Sequence, residues 1–383
     1  MLLVSLDGVA PRFLGRGDTP NIDRLATEGV RAEWMTPSYP SLTFPNHYTL
    51  VTGLRPDRHG IVHNTMQDAT LGNFWLSNRD AVGDGRWWNG EPIWVGAEKA
   101  GLSTATLSWP GSEADVQGIR PTRWHLFDAQ RPIPERVDMV AGWLSEPPAT
   151  RPRFATIYFE HPDAAAHAHG PDSQQLRDAL RQVDAAIGEL IERLQRAGVL
   201  DDTDIVIVSD HGMAEVPQSQ VIVVEDMADP AVAEVVMTGQ VVGFQPREGH
   251  VQAAESVLLG RHTQYECWRK GELPARWKYG RHPRVPPIVC QMDKGWDAIP
   301  RQYLARRPAG TRGSHGYDPA EPDMRAIFIA HGPSFRSGLT IPAFDNVDVY
   351  PLLARLVGIQ PAPNDGDAAT LLTTLKPESP SAH

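Results

Sequence analysis

The sequence is poor in cysteine, in long apolar runs and in basic residues. Its 383 residues include two cysteines, Cys267 and Cys290, whose spacing is not that of a zinc-binding motif. These two form either one disulfide in an oxidising compartment or two buried thiols. No apolar run is long enough to cross a bilayer. The formal net charge of −11 argues against nucleic acid as a partner, because it leaves no broad basic surface.

The ends of the chain bear on its compartment and its order. Met1 leads directly into the apolar run at residues 2–6, with no charged and hydrophobic leader before it. We therefore expect either a cytoplasmic protein or a periplasmic or secreted one whose signal segment has been removed. The last residues, PESPSAH after Lys376, are predicted to lack regular structure.

Apolar runs typical of buried strands alternate with segments of helical periodicity along most of the chain. Strands are predicted at residues 2–6, 103–107, 154–160, 204–209 and 325–330, and helices at 21–29, 46–54, 97–100, 137–144 and 172–197. This alternation predicts one α/β domain over residues 1–383, with a mostly parallel central sheet and helices on both faces. Residues from about 213 to 312 are rich in prolines, aromatics and short alternating runs. They are predicted to form a smaller inserted capping subdomain with antiparallel strands.

The segment from Thr36 to Asn64 places a hydroxyl residue, Thr43, among three prolines and directly before a predicted helix. The free N–H groups at that helix start favour an anionic oxygen beside Thr43. Two interpretations are open. Thr43 either caps the helix, the commoner role, or acts as a nucleophile, which requires a cation or base to activate its hydroxyl.

Further acidic and histidine residues follow the predicted strands. Asp7, Asp163 with His167, and Asp210 with His211 share this location, and His315, in GTRGSHGYDP, is a fourth site that offers a metal ligand. A lone Asp–His pair is usually a salt bridge, but the carboxyl ends of parallel strands meet at one edge of a sheet. Mixed carboxylate and imidazole ligands suit zinc, and two adjacent metal ions can support in-line attack at phosphorus.

Six motifs in order carry a family resemblance. They are LVSLDG, PSLTFPNHYTLVTGLRPDRHGI, EPIWVGAEKAG, the PDxxxH of residues 162–167, VSDHGM and GSHGYDP. Together, from Leu2 to about Gly332, they resemble the nucleotide pyrophosphatase/phosphodiesterase family of the alkaline phosphatase superfamily. The resemblance implies an alkaline-phosphatase-like fold with two Zn²⁺ ions as cofactors.

The resemblance also implies a role for each matched residue. One zinc would be bound by Asp7, Thr43, Asp210 and His211, and the other by Asp163, His167 and His315. Thr43 would be the nucleophile that becomes phosphothreonine. Asn64 and the Thr43 N–H would bind a non-bridging phosphoryl oxygen, and Phe44 and Tyr158 would stack on either side of a nucleobase. Three histidines near Thr43 are interpreted as structural or supporting residues: His47, His59 and His63. The family pattern places its ligands at His167 and His315, and not at His161, His169 or His331.

The resulting hypothesis is a two-zinc hydrolase of phosphodiester and pyrophosphate bonds in small-molecule nucleotides, releasing a nucleoside monophosphate. Alternatives are a hydrolase of a phospholipid headgroup diester or a phosphonate, and a zinc-binding homologue without catalysis. A sulfatase is disfavoured because no cysteine lies in a CxPxR context. A phosphomonoesterase is disfavoured because no arginine adjoins Thr43.

Overall fold

The structure is a computed structural model that describes residues 1–307 and 309–377. The predicted unstructured end after Lys376 therefore lies, apart from Pro377, outside the described residues. Within the described ranges, no helix combines the length and apolarity needed to cross a bilayer.

Short strands and helices alternate along the described residues. The strands are β1 (Leu2–Leu6), β2 (Val30–Ala32), β3 (Met35–Thr36), β4 (Thr65–Asp68), β5 (Gly72–Trp75), β6 (Thr104–Leu107), β7 (Arg123–His125), β8 (Phe154–Phe159), β9 (Ile205–Val208), β10 (Ala214–Val216), β11 (Val221–Val223), β12 (Ala233–Met237), β13 (Val241–Pro246), β14 (Gly260–Arg261), β15 (Tyr265–Arg269), β16 (Ile288–Met292), β17 (Asp297–Ile299), β18 (Arg312–Ser314), β19 (Phe328–His331), β20 (Leu339–Ile341) and β21 (Phe344–Asp345). The α-helices are α1 (Pro20–Glu28), α2 (Thr43–Thr52), α3 (Pro56–His59), α4 (Arg79–Val82), α5 (Ile93–Lys99), α6 (Ile133–Leu144), α7 (His161–His169), α8 (Gln174–Arg196), α9 (Val224–Met227), α10 (Val251–Leu258), α11 (Arg301–Leu304), α12 (Val349–Val357) and α13 (Ala368–Leu372).

Among the described residues the central sheet has eight strands, in the order β20-β2-β19-β9-β1-β8-β6-β7. Strand β1 pairs in parallel with both β8 and β9, and β6 pairs in parallel with β7 and β8. Strand β19 is antiparallel to both of its neighbours. The prediction of a mostly parallel sheet is therefore confirmed, with β19 as the reversed strand.

Alternating residues of the sheet strands enter two separate hydrophobic cores, because successive side chains of a strand point to opposite faces. Leu3 and Val206 belong to one core, which also contains residues of α2, α5 and α12. Leu2, Val4 and Ile207 belong to the other, which contains residues of α1, α6 and α8. Both faces of the sheet are therefore covered by helices, as predicted.

Two helices begin about one full turn earlier than the sequence predicts. Helix α5 begins at Ile93 rather than at residue 97, and α6 begins at Ile133 rather than at 137. In each case a proline, Pro92 or Pro132, is the N-cap residue, with the extended backbone that precedes a first helical turn. The apolar periodicity of the later residues marks the buried face and not the helix start.

Residues 213–312 contain a second sheet, which is antiparallel and has the order β12-β13-β16-β15-β14. Cys267 on β15 lies opposite Cys290 on β16, and the two are joined by a disulfide. Strands β10 and β18, at the two ends of this segment, pair with each other. The predicted antiparallel strands are present, and the capping role of the segment stays a prediction.

Candidate active site

Three carboxylates converge at the carboxyl ends of neighbouring parallel strands. Asp7 follows β1, Asp210 lies two residues after β9, and Asp163 lies in the first turn of α7, which follows β8. The turn after β1 needs glycine at position 8, where φ is +70° and a Cβ would lie 3.0 Å from an oxygen of Asp163. The Gly8 N–H also donates to Asp210 Oδ1 at 3.2 Å. This turn therefore brings all three acidic side chains together.

Thr43 is the first residue of α2, and its hydroxyl lies 3.3 Å from Nε2 of His211. The N-cap residue of the helix is Leu42, which makes no side-chain capping bond, so Thr43 is not the cap. The loop before the helix is fixed by Asn46, whose amide donates to the carbonyls of Pro40 and Leu42. The geometry therefore disagrees with the capping interpretation and presents the Thr43 hydroxyl to the acidic cluster.

The histidines and carboxylates form groups with the composition of divalent metal sites. The potential ligand atoms lie within 4.8 Å of one another in three overlapping sets: Asp163 with His167 and His315, Asp7 with Asp163 and His211, and Asp7 with His47 and Asp210. One oxygen of each carboxylate is buried without a hydrogen-bond partner: Asp7 Oδ1, Asp163 Oδ1 and Asp210 Oδ2. Buried carboxylate oxygens need a donor or a cation, so these residues fit a metal centre.

The individual distances divide the cluster into two adjoining halves. His211 Nε2 lies 2.9 Å from Asp210 Oδ2 and 3.6 Å from Asp7 Oδ1. Asp163 Oδ1 lies 3.4 Å from His167 Nε2 and 3.6 Å from His315 Nε2. The rings of His211 and His315 stack with centroids 3.5 Å apart. The two halves therefore meet at the stacked rings of His211 and His315. All the predicted metal-ligand residues lie in one cluster.

Backbone carbonyls orient the three histidines. The Nδ1 atom of His167 contacts Gly313 O at 2.9 Å, that of His211 contacts Gly212 O at 2.9 Å, and that of His315 contacts Ser41 O at 3.0 Å. A carbonyl partner fixes the hydrogen on Nδ1 and leaves the lone pair on Nε2, which faces the carboxylates. This arrangement is typical of imidazoles that bind a metal.

Burial and mutual repulsion perturb the carboxyl pKa values. Burial, then the charges of Asp210 and Asp163, raise the pKa of Asp7 well above its ordinary value. Burial also raises the pKa of Asp163. Burial acts in the same direction on Asp210, but the neighbouring His211 and His47 outweigh it and lower its pKa. A bound cation would offset both the burial and the mutual repulsion that raise the pKa values of Asp7 and Asp163.

His47 lies closer to this centre than the sequence analysis indicates. Its Nδ1 lies 2.9 Å from Thr43 O and 3.4 Å from Asp210 Oδ2, and its Nε2 lies 2.7 Å from Ser5 Oγ. Burial lowers its pKa. Its position four residues after Thr43, on the same side of α2, is the sequence signal that indicates this proximity.

A cavity of about 450 Å³ opens beside Thr43, Asp7 and Asp163. Asn64 accepts a hydrogen bond from the Phe44 N–H at 3.0 Å through Oδ1, and because the amide group is planar this bond also fixes the direction of its amide nitrogen. Aromatic residues form part of the cavity wall, among them Phe44, Phe127 and Tyr158.

The structure gives Tyr158 a partner that the sequence does not reveal. Its hydroxyl donates to Asp7 Oδ2 at 2.5 Å, and its ring is only 6% exposed. Phe127, which the sequence analysis missed, is 37% exposed on the same cavity wall. Stacking of a base on Tyr158 stays a prediction, and Phe127 offers the more accessible ring. Phe127 lies two residues after β7, a strand that the sequence analysis does not predict, so no sequence signal points to it.

Comparison with known proteins gives the family. The model of the family described as type I phosphodiesterase/nucleotide pyrophosphatase matches residues 1–318. The chain belongs to this family. A pyrophosphatase/phosphodiesterase of Schizosaccharomyces pombe is 35% identical in an alignment that covers 96% of this chain and 78% of the relative. Family member 3 of the ectonucleotide pyrophosphatases/phosphodiesterases from Bos taurus is 35% identical over 98% of this chain, but the match spans only 44% of that relative.

Solved structures of the family share the fold. Murine ectonucleotide pyrophosphatase/phosphodiesterase 5, solved as an inactive variant in complex with AMP, superposes with a TM-score of 0.92. It is 31% identical in sequence, and the match covers 98% of this chain and 99% of that one. The predicted family and its alkaline-phosphatase-like α/β fold are therefore confirmed.

Proposed function

We propose that this chain is a two-zinc hydrolase of phosphodiester and pyrophosphate bonds in nucleotides, acting through a phosphothreonine intermediate. One observation carries the proposal. The Thr43 hydroxyl, at the start of α2, lies 3.3 Å from His211 Nε2 and faces a cluster of two buried carboxylates, one half-buried carboxylate and the histidines grouped with them. Family membership supports the reaction class, and the mixed ligand set supports zinc.

The proposed assignment divides the ligands between two ions. Asp7, Thr43, Asp210 and His211 would bind one zinc, and Asp163, His167 and His315 the other. When bound, such ions lower the pKa of a coordinated hydroxyl and neutralise charge that develops on oxygen. Thr43 Oγ1 would lose its proton and attack phosphorus, and the bond to the leaving alcohol or phosphate would break as the leaving oxygen takes up a proton. Water would then hydrolyse the phosphothreonine and restore the Thr43 hydroxyl.

The residues around Thr43 support a diester rather than a monoester substrate. The Thr43 N–H belongs to the first turn of α2, where N–H groups lack helical acceptors. Together with the Asn64 amide, it would donate to one non-bridging oxygen of the phosphoryl group. Both donors are neutral, which suits the single charge of a diester.

A nucleobase would occupy the aromatic part of the cavity. Phe44 follows the nucleophile directly, and Phe127 presents an accessible ring in the same cavity. Stacking on an aromatic ring contributes about 1–3 kcal/mol per base and tolerates any base. We assign this stacking to Phe44 and Phe127 beside the predicted Tyr158, whose hydroxyl also orients Asp7.

The compartment proposed is periplasmic or secreted. The disulfide between Cys267 and Cys290 is of the kind that persists in oxidising compartments. The names of the relatives point the same way, since they include ectoenzymes and venom phosphodiesterases.

The test compares Thr43→Ala with Thr43→Ser and the wild type. Turnover of a p-nitrophenyl ester of a nucleoside monophosphate should fall at least ~10³-fold in Thr43→Ala, with bound zinc retained, and part of the activity should remain in Thr43→Ser. Acid quenching during turnover should leave labelled phosphate on the wild-type chain and on Thr43→Ser, and none on Thr43→Ala. Unchanged turnover in Thr43→Ala would remove Thr43 from the role.

The same assay separates the alternatives. A nucleoside ester should be cleaved faster than p-nitrophenyl phosphate and p-nitrophenyl phosphocholine. Faster cleavage of the choline ester would favour the phospholipid alternative, and phosphate release from a phosphonate alone would favour the phosphonate alternative. Zinc binding without cleavage of any of these would indicate a non-catalytic homologue.

A further inference from the structure

We propose that Arg312, held by Asp297, is a positioning residue for His167 and thereby for the half of the metal centre formed by Asp163, His167 and His315. The inference rests on the two-metal centre of the proposed function. It gives residues 213–312 a role in metal binding that is distinct from covering the cavity.

Strand β18 holds the His167 ring through two neighbouring groups. The carbonyl of Gly313 lies 2.9 Å from His167 Nδ1, and Arg312 Nη2 lies 3.3 Å from the same atom. When Nε2 binds a metal, Nδ1 carries the hydrogen and the carbonyl is its acceptor. Arg312, which can only donate, then makes no hydrogen bond to Nδ1, and its guanidinium acts as a steric stop that limits rotation of the ring away from Asp163.

Strand β18 packs closely against α7, so its position determines where the carbonyl that orients His167 lies. A Cβ at residue 313 would lie 2.6 Å from the carbonyl oxygen of Ala166, one residue before His167. Glycine therefore lets β18 lie directly against α7. Small shifts of β18 would move the carbonyl that orients His167.

Asp297 fixes Arg312 from the inserted segment. It is almost fully buried on β17, and its Oδ2 pairs with Arg312 Nη1 at 3.1 Å. The same oxygen pairs with Arg307 at 3.2 Å, and Gln240 donates to Oδ1. A buried carboxylate with these partners has one well-defined position, so it anchors Arg312 and the start of β18.

The inserted segment also holds the loop that carries His315. The Gln291 amide donates to Gly316 O at 3.4 Å, and the Tyr317 hydroxyl donates to Trp296 O at 3.1 Å. Both histidines of this half of the centre therefore depend on contacts from residues 213–312. We expect loosening of these contacts to weaken one metal site and to spare the site of Asp7, Asp210 and His211.

The direction in which metal affinity changes when Arg312 is replaced distinguishes a positioning role from a purely electrostatic one. Arg312 is a cation close to a proposed cation site, so a purely electrostatic role predicts that Arg312→Gln tightens metal binding. Positioning predicts the opposite. Loss of a group that orients a metal ligand typically weakens metal affinity by about 10–100-fold.

The experiment measures zinc affinity and stoichiometry of the full chain by competition with a chromophoric chelator. Arg312→Gln should weaken one of two zinc sites by about 10–100-fold. Arg307→Gln is the matched control, because Arg307 pairs with the same oxygen of Asp297 while its other contacts are the carbonyls of Pro217 and Gln218. The loss of zinc affinity in this control should be clearly smaller than in Arg312→Gln, because Arg312 and Gln240 still hold Asp297.

Arg312→Lys keeps the charge beside Asp297 and tests the proposal if Arg312→Gln fails to fold. Its single ammonium cannot contact both Asp297 and His167, so one zinc site should again weaken. Wild-type affinity at both sites in either folded Arg312 variant, tighter binding in Arg312→Gln, or an equal loss in Arg307→Gln would overturn the positioning role. A wild-type chain that binds fewer than two zinc ions would instead overturn the proposed metal centre.

Discussion

Removal of metal should lower the thermal stability of this protein substantially, because two carboxylates of the centre are buried and the third is half-buried. Asp7, Asp163 and Asp210 each keep a buried oxygen without a hydrogen-bond partner. At free zinc about 1,000-fold above Kd, each occupied site stabilises the folded state by about 4 kcal/mol, or ~8 kcal/mol for two. A chain of 383 residues has an unfolding entropy of ~0.8 kcal/mol/K. The expected fall in Tm on chelation is therefore about 10 °C.

The pH dependence of this difference follows from the raised carboxyl pKa values. In the metal-free chain, burial and neighbouring carboxylates raise the pKa of Asp7, and burial raises that of Asp163. These groups hold protons in the folded state at pH values where the unfolded chain has lost them. Their contribution to stability is thus fully present below the ordinary aspartate pKa and is lost as pH rises through the raised values. Asp210, with its lowered pKa, stays ionised over this range and does not offset the effect.

Metal binding reverses the trend, since protons compete with metal for the same oxygens. The Tm difference between zinc-loaded and metal-free protein should therefore widen from pH 5 to pH 8. Thermal unfolding followed by circular dichroism, before chelation, after chelation and after zinc is added back, measures it. The Asp163→Asn variant should show a smaller zinc-dependent shift. Equal Tm values with and without zinc at pH 8, or a difference that narrows as pH rises, would refute the reasoning.

Two further predictions concern single side chains. Tyr158→Phe keeps the ring but loses the hydrogen bond to Asp7, so zinc affinity should fall by about 10-fold while KM for a nucleoside ester changes little. A raised KM with unchanged zinc affinity would instead support base stacking. Burial lowers the pKa of His59 to about 3, and its Nδ1 already accepts the Ile61 N–H. The folded state therefore loses stability as pH falls from about 6.5 toward 3, by about 1.4 kcal/mol per pH unit. His59→Gln should remove that contribution from denaturant-unfolding curves measured across this range, and an unchanged pH slope would contradict it.

Much of the fold follows from local sequence patterns. The apolar runs at residues 2–6, 154–160 and 204–209 are buried on both faces, as parallel strands must be, and their ends carry the acidic residues. The convergence of Asp7, Asp163 and Asp210 follows from this topology. The reversed direction of β19 could not be predicted, because a short apolar strand has the same pattern in either direction.

The supporting contacts of the site depend on tertiary packing that sequence patterns do not encode. The pairing of Cys267 with Cys290 depends on the register of β15 and β16, which brings together residues 23 apart. The bond of Tyr158 to Asp7 depends on the neighbouring positions of β1 and β8. The contact of Arg312 with His167 depends on glycine at position 313. None of these has a local periodicity that would predict it.

The stacked rings of His211 and His315 have a consequence for metal exchange. Each ring belongs to a different half of the centre, and at 3.5 Å neither can tilt without displacing the other. A larger or smaller ion in one half would therefore shift the histidine ligand of the other half and change the metal affinity there. Substitutions that change the metal preference of one proposed site should therefore change the metal affinity of both sites.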